Sequence, residues 1–155
     1  MSQTPAAAPR RSLREKSAAR LAAVQLLYKI ALTGEALRPE KLLAEYRAFV
    51  TDDPPAVKPN GAHLKKLLEG IAAHGEALAP LVDTSLTAQW RKERVSPLLL
   101  SLLTLGLFEL AHLRSLSTAV IINEYATLTG RFFGEKETGF INAALNAAAK
   151  KLRDE

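Results

Sequence analysis

Apolar residues occupy every side of a helical wheel across Pro97-Leu98-Leu99-Leu100-Ser101-Leu102-Leu103-Thr104-Leu105-Gly106-Leu107-Phe108-Glu109-Leu110-Ala111, the pattern of a helix buried in a core. Ser96 is placed to cap its first amides, and Pro97 suits the first helical position because its missing N–H has no partner to lose. The run falls short of the about 20 apolar residues that a membrane span needs, and Thr104, Gly106 and Glu109 interrupt it. It therefore reads as the central strut, near 97–113, of a helical domain. Gly106 marks a place where a neighbouring helix comes close, at a propensity cost of about 1 kcal/mol against Ala.

The same periodicity predicts the other elements. Ser12-Leu13-Arg14-Glu15 has the capping-box pattern, and Leu13, Ser17, Leu21, Val24 and Tyr28 follow at helical spacing, so a first helix runs from there to about Leu32 and stops at Gly34. Pro39 opens a short helix through about Phe49, and three prolines make Thr51 to Asn60 a loop. Asn60 caps a helix carrying Leu64, Leu67, Leu68, Ile71 and Leu78; Pro80 ends or kinks it at Ala79, and a fresh helix continues from Leu81 to about Trp90. After the strut, helices are expected from about Thr118 to Gly130 and from about Glu137 to Arg153. No strand alternation or internal repeat competes. The fold class is all-α, with about seven helices.

Composition adds compartment and charge. At 155 residues the chain suits one helical domain over 10–155, preceded by a small, polar, Ala- and Pro-rich arm over 1–9 that is expected to be disordered. The absence of Cys excludes a disulfide framework and a thiolate metal site, and no signal peptide opens the chain, so the cytoplasm is the expected location. The net charge of +5 is mild, but Arg10, Arg11, Arg14, Lys16 and Arg20 face only Glu15 between positions 10 and 20. Cations at a helix start oppose the helix dipole, so folding gives no reason for them there. The cluster reads as a footprint for a polyanion.

Catalytic chemistry finds no foothold. His63, His74 and His112 share no metal-ligand spacing, Asp52-Asp53 sits in a turn-forming loop, and neither a phosphate loop nor a nucleophile elbow occurs. No enzyme, metal or cofactor is expected. Phe132, Phe133 and Phe140 gather before the last helix, and an aromatic beside a basic patch is suited to stacking an unpaired base. Of the three, Phe140 beside Gly139 is the candidate, the others reading as core.

Lys16-Ser17-Ala18-Ala19-Arg20-Leu21-Ala22-Ala23-Val24-Gln25-Leu26-Leu27-Tyr28, then Leu67-Leu68-Glu69-Gly70, Phe108-Glu109-Leu110, Val120-Ile121-Ile122-Asn123-Glu124-Tyr125 and Phe140-Ile141-Asn142 together resemble the transcription antitermination factor family NusB, over about Arg11 to Arg153. The resemblance implies two small helical bundles and joint binding of single-stranded boxA RNA with the ribosomal protein NusE. The complex would join elongating RNA polymerase with other Nus factors, notably on ribosomal RNA operons. It also implies RNA contacts at Arg10, Arg11, Arg14, Arg20, Lys136 and Phe140, with Lys16 in the same cluster, and a NusE-facing position at Tyr28. Glu109, Asn123 and Glu124 match polar signature positions and are expected to make structural hydrogen bonds.

The chain departs from the family pattern in several places. The family usually has Arg at Thr104, Pro and a basic residue at Ser117 and Ala119, Asn-Gly at Asn142-Ala143, Asp at Asn146, and in some members a NusE-binding acid at Leu99. Leu99 is thus carried as a partner-facing position whose charge is lost. Two other readings stand beside the adaptor: a protein-binding scaffold or homodimer that has lost RNA binding, and an RNA-binding accessory domain like the one preceding the catalytic domain of some ribosomal RNA methyltransferases. Neutralising five phosphates of single-stranded RNA would give a salt slope of roughly −3.5.

Overall fold

The computed structural model describes residues 7–87, 89–91 and 93–153. Along them run α1 (Ala7–Thr33), α2 (Pro39–Asp52), α3 (Gly61–Ser85), α4 (Pro97–His112), α5 (Thr118–Gly130) and α6 (Glu135–Arg153), with no strand among the described residues. The all-apolar run became α4. Ser96 Oγ accepts from the Leu98 amide at 3.1 Å, and Leu102, Leu103, Leu105, Leu107 and Leu110 are fully buried on different sides of the helix. Each fully buried leucine contributes about 1.5–3 kcal/mol, so burial rather than intrinsic propensity holds this helix. It packs against α1, α3, α5 and α6, while α2 contacts α3.

Two glycines set how closely these helices meet. A Cβ at Gly106 would lie 2.9 Å from Leu145 Cδ1, the close approach of a neighbour that Gly106 forecasts. A Cβ at Gly70 would lie 2.0 Å from the Phe108 ring, so the α3–α4 crossing needs a bare backbone there. Gly34 ends α1 as expected: its φ is +74°, and its amide donates to Ile30 O at 2.9 Å. Asn60 caps α3 through its side chain, which accepts from the His63 amide at 2.9 Å.

The helix boundaries differ from expectation at three places. Pro80 does not end its helix; α3 continues to Ser85, because Pro80 is exposed and the carbonyl its ring leaves unbonded can turn to water. The expected helix from Leu81 to Trp90 is therefore absent, and turns bridge Leu86 to Ser96, with Trp90 N–H on Thr87 O and Val95 N–H on Arg91 O. That leaves six helices among the described residues in place of the expected seven or so. The capping box at Ser12 and Glu15 is not a helix start either, since α1 already begins at Ala7. The remainder of the expected arm, residues 1–6, lies outside the described residues.

Arg153 closes the far end of α4. Its guanidinium donates to the carbonyls of Leu110 at 2.9 Å, Leu116 at 2.6 Å, Leu113 at 3.1 Å and Glu109 at 3.2 Å. One side chain thus satisfies helix-end carbonyls and fixes the turn that carries Leu113 to Leu116.

Candidate nucleic-acid interface

The first half of α1 carries the basic cluster, and the structure divides it. Arg11 and Arg14 are exposed and Lys16 is half-buried, and these three pair with no carboxylate among the described residues. The Arg10 side chain lies outside the described residues. Arg20 points the other way, and the expectation that it meets RNA is corrected. It is 1% exposed, its Nε and Nη2 donate to the two carboxylate oxygens of Glu109 at 2.8 and 2.9 Å, and Nη1 donates to Glu124 Oε1 at 2.9 Å. The guanidinium has no free edge for a phosphate.

A buried polar network surrounds that pair. Tyr125 Oη also donates to Glu109, Ser17 Oγ donates to Glu124, and the Arg20 guanidinium lies 5.9 Å from the centroid of the Tyr125 ring. His63 Nε2, buried and without a hydrogen-bond partner among the described residues, stands 3.6 Å from Glu109 Oε2. Burial works to raise the Glu109 pKa, but His63, Arg20 and Tyr125 outweigh it and hold the carboxyl at about 2 instead of 4.5. Burial and the neighbouring carboxylate push the Tyr125 hydroxyl up, so it stays protonated and a donor. The network ties α1, α4 and α5 together directly beneath the exposed cations. Glu109 and Glu124 have the structural role expected of them, whereas Asn123 is exposed.

The loop between α2 and α3 shapes the surface above. The Asn60 amide donates to Glu15 O at 2.9 Å, pinning the loop's end to α1. On one side, Lys16, Lys66, Asn60, His63 and Ser115 line a recess of about 130 Å³ at the N-terminal end of α3. Two lysines and a helix N-terminus favour an anion there. Sequence proximity does not single out Lys66, which lies 50 positions beyond Lys16, next to Lys65, which pairs with Glu69 at 3.9 Å.

The aromatic candidate is also corrected. Phe140 is 9% exposed and stacks on Trp90 with centroids 4.7 Å apart, so its face is already covered. The exposed Lys136 holds its Nζ 5.4 Å from the Trp90 ring centroid. Phe132, by contrast, is 38% exposed. Phe140 faces inward because it shares the buried stripe of α6 with Ala144 and Leu145.

The expected partner face divides in the same way. Tyr28 is half-buried, but Leu99 is 2% exposed and belongs to the core. Its neighbours Leu100, Ser101 and Thr104 instead line a shallow apolar hollow of about 430 Å³ with Leu27, Ile30 and Leu37. His74 and His112 stack at 4.0 Å on α3 and α4, and no cluster of three metal-ligating side chains occurs among the described residues. Nor is any described helix long and apolar enough to cross a membrane.

Fold and surface together define a class: an all-helical protein built around one buried helix, with unpaired cations on one end of α1 and an apolar hollow elsewhere. The profile of the NusB family matches residues 17–150, and the chain belongs to that family. Transcription antitermination protein NusB of Sinorhizobium fredii is 30% identical, over all of this chain and 98% of that protein. NusB of Bartonella tribocorum is 31% identical over 92% of this chain and 93% of its own length. A solved structure of T. maritima NusB matches 97% of this chain and 94% of that one with a TM-score of 0.69 at 19% identity, so the two share a fold.

Proposed function

We propose that this chain is a transcription antitermination adaptor that binds single-stranded boxA-type RNA jointly with the ribosomal protein NusE and carries it to elongating RNA polymerase with other Nus factors. The observation that carries the reading is the set of cations on and beside α1, namely Arg11, Arg14, Lys16 and Lys66, left without carboxylate partners among the described residues, two of which, Lys16 and Lys66, line a phosphate-sized recess. Arg10 belongs to the same chemistry by its position. The curated relatives bear the name of antitermination proteins, which supports the same reading. No catalytic step is required of an adaptor. The hollow beside Leu100 and Thr104 suits an apolar protein partner, and it supports NusE binding better than the buried Leu99 does.

With Arg20 withdrawn, Arg10, Arg11, Arg14 and Lys16 neutralise about four phosphates, so α1 alone should contribute about −3 to the slope of log affinity for single-stranded RNA against log salt, and cations elsewhere add to it. Binding measured from low to moderate salt tests this. A slope near zero would show that the α1 cations do not drive binding. Arg14→Ala should flatten the slope by about 0.7, whereas Arg20→Lys should leave it unchanged in whatever fraction folds.

A further inference from the structure

Beside Arg14, α1 and α2 enclose an open groove of about 480 Å³, within the range of about 300 to 1,000 Å³ typical of small-ligand sites. Leu21, Tyr46, Phe49, Val50 and Val57 form its walls, with the prolines of the α2–α3 loop along one side. Phe49 is 61% exposed and Val57 37%, so aromatic and branched surface faces water with no partner in the fold. Arg14 and Arg131 stand on the rim, both exposed, and neither pairs with a carboxylate among the described residues. Asp53 also lines the groove. Arg131 comes from the end of α5, more than 100 positions from Arg14, so only the fold joins the two cations.

We infer that this groove is a subsite for one unpaired base of bound RNA, stacked on the exposed Phe49, with Arg14 and Arg131 holding the adjacent phosphates. The inference rests on the RNA-binding reading above and adds residues to it. Charge complementarity selects the occupant. An apolar peptide would satisfy the walls but leave two guanidiniums unanswered, whereas a nucleotide brings a flat π-face together with flanking anions. The groove also borders the basic recess: Pro59 lines one and Asn60 the other, so a strand crossing the loop's pinned end would meet both.

The test compares wild type, Phe49→Ala, Arg131→Ala and Leu32→Ala for affinity to a boxA-type RNA across a salt series, with and without NusE. All three positions are exposed, so the variants should fold; Leu32, 63% exposed at the other end of α1, is the control. Phe49→Ala should bind about tenfold more weakly at unchanged slope, the loss expected for one stacked base. Arg131→Ala should flatten the slope by about 0.7. RNA carrying 4-thiouridine should crosslink to the segment 46–57. If both groove variants bind RNA like wild type and Leu32→Ala, the base lies elsewhere and the inference fails while the RNA-binding reading stands. If Phe49→Ala loses only the NusE effect, the groove takes a protein segment and the inference also fails. Absence of salt-dependent binding by wild type would overturn the reading and the inference together.

Discussion

Replacing Glu109 by Gln isolates what the buried network contributes, because the shape is kept while the charge facing Arg20 is removed. In the folded chain this carboxyl is held at about 2 rather than 4.5, with its two oxygens bonded to Arg20 at 2.8 and 2.9 Å. A displacement of that size corresponds to about 3 kcal/mol of stability at neutral pH. The figure agrees with the roughly 3–5 kcal/mol lost when one partner of a buried pair is removed and the other is left. For a domain of this length, Glu109→Gln should lower the melting temperature by about 6–12 °C at pH 7. The pH dependence has a definite sign. Because the folded-state pKa is depressed, the contribution is complete well above pH 4.5 and is lost as the carboxylate protonates toward pH 2. The gap between wild type and variant, read by urea denaturation with circular dichroism, should thus shrink to less than half by about pH 3. A gap below about 1 kcal/mol at pH 7, or one that does not change with pH, would refute the reasoning.

Other substitutions test the packing. Gly70→Ala drives a methyl into the Phe108 ring and should cost about 1–3 kcal/mol in urea denaturation, whereas Gly106→Ala should cost less because its contacts with the end of the Leu145 side chain, at 2.9 Å and beyond, are less close. Arg153→Lys removes the fork that gathers four carbonyls and should cost about 1–3 kcal/mol, with faster amide hydrogen exchange around 113–118. Unchanged exchange there would mean that the turn is held by other contacts.

Several local signals match the structure, although the capping-box pattern at Ser12 and Glu15 does not. The all-apolar run, the Ser96 and Asn60 caps and the stop at Gly34 depend on neighbours within a few positions, and each is found as expected. Pro80 did not behave so, because whether a proline breaks a helix depends on which side faces water, a tertiary fact. Arg20 groups with the basic cluster by sequence proximity, yet it shares a buried stripe with Val24 and Leu27. A signal was present: Glu109 is a lone carboxylate in an otherwise apolar helix, and such a group requires a buried cation. The partner could not be chosen without the fold, since the two lie 89 positions apart. Lys66 and Arg131 lie outside the basic cluster in the sequence, and only the fold brings them to the α1 surface.

Fluorescence anisotropy of a labelled boxA-type single-stranded RNA, titrated with this protein alone and with purified NusE beside a scrambled RNA, tests the central claim most directly. The adaptor account predicts tighter binding of boxA than of the scrambled strand, strengthened further by NusE. Equal weak binding of both RNAs, unchanged by NusE, would contradict it and leave a helical scaffold that keeps the family fold without its RNA activity.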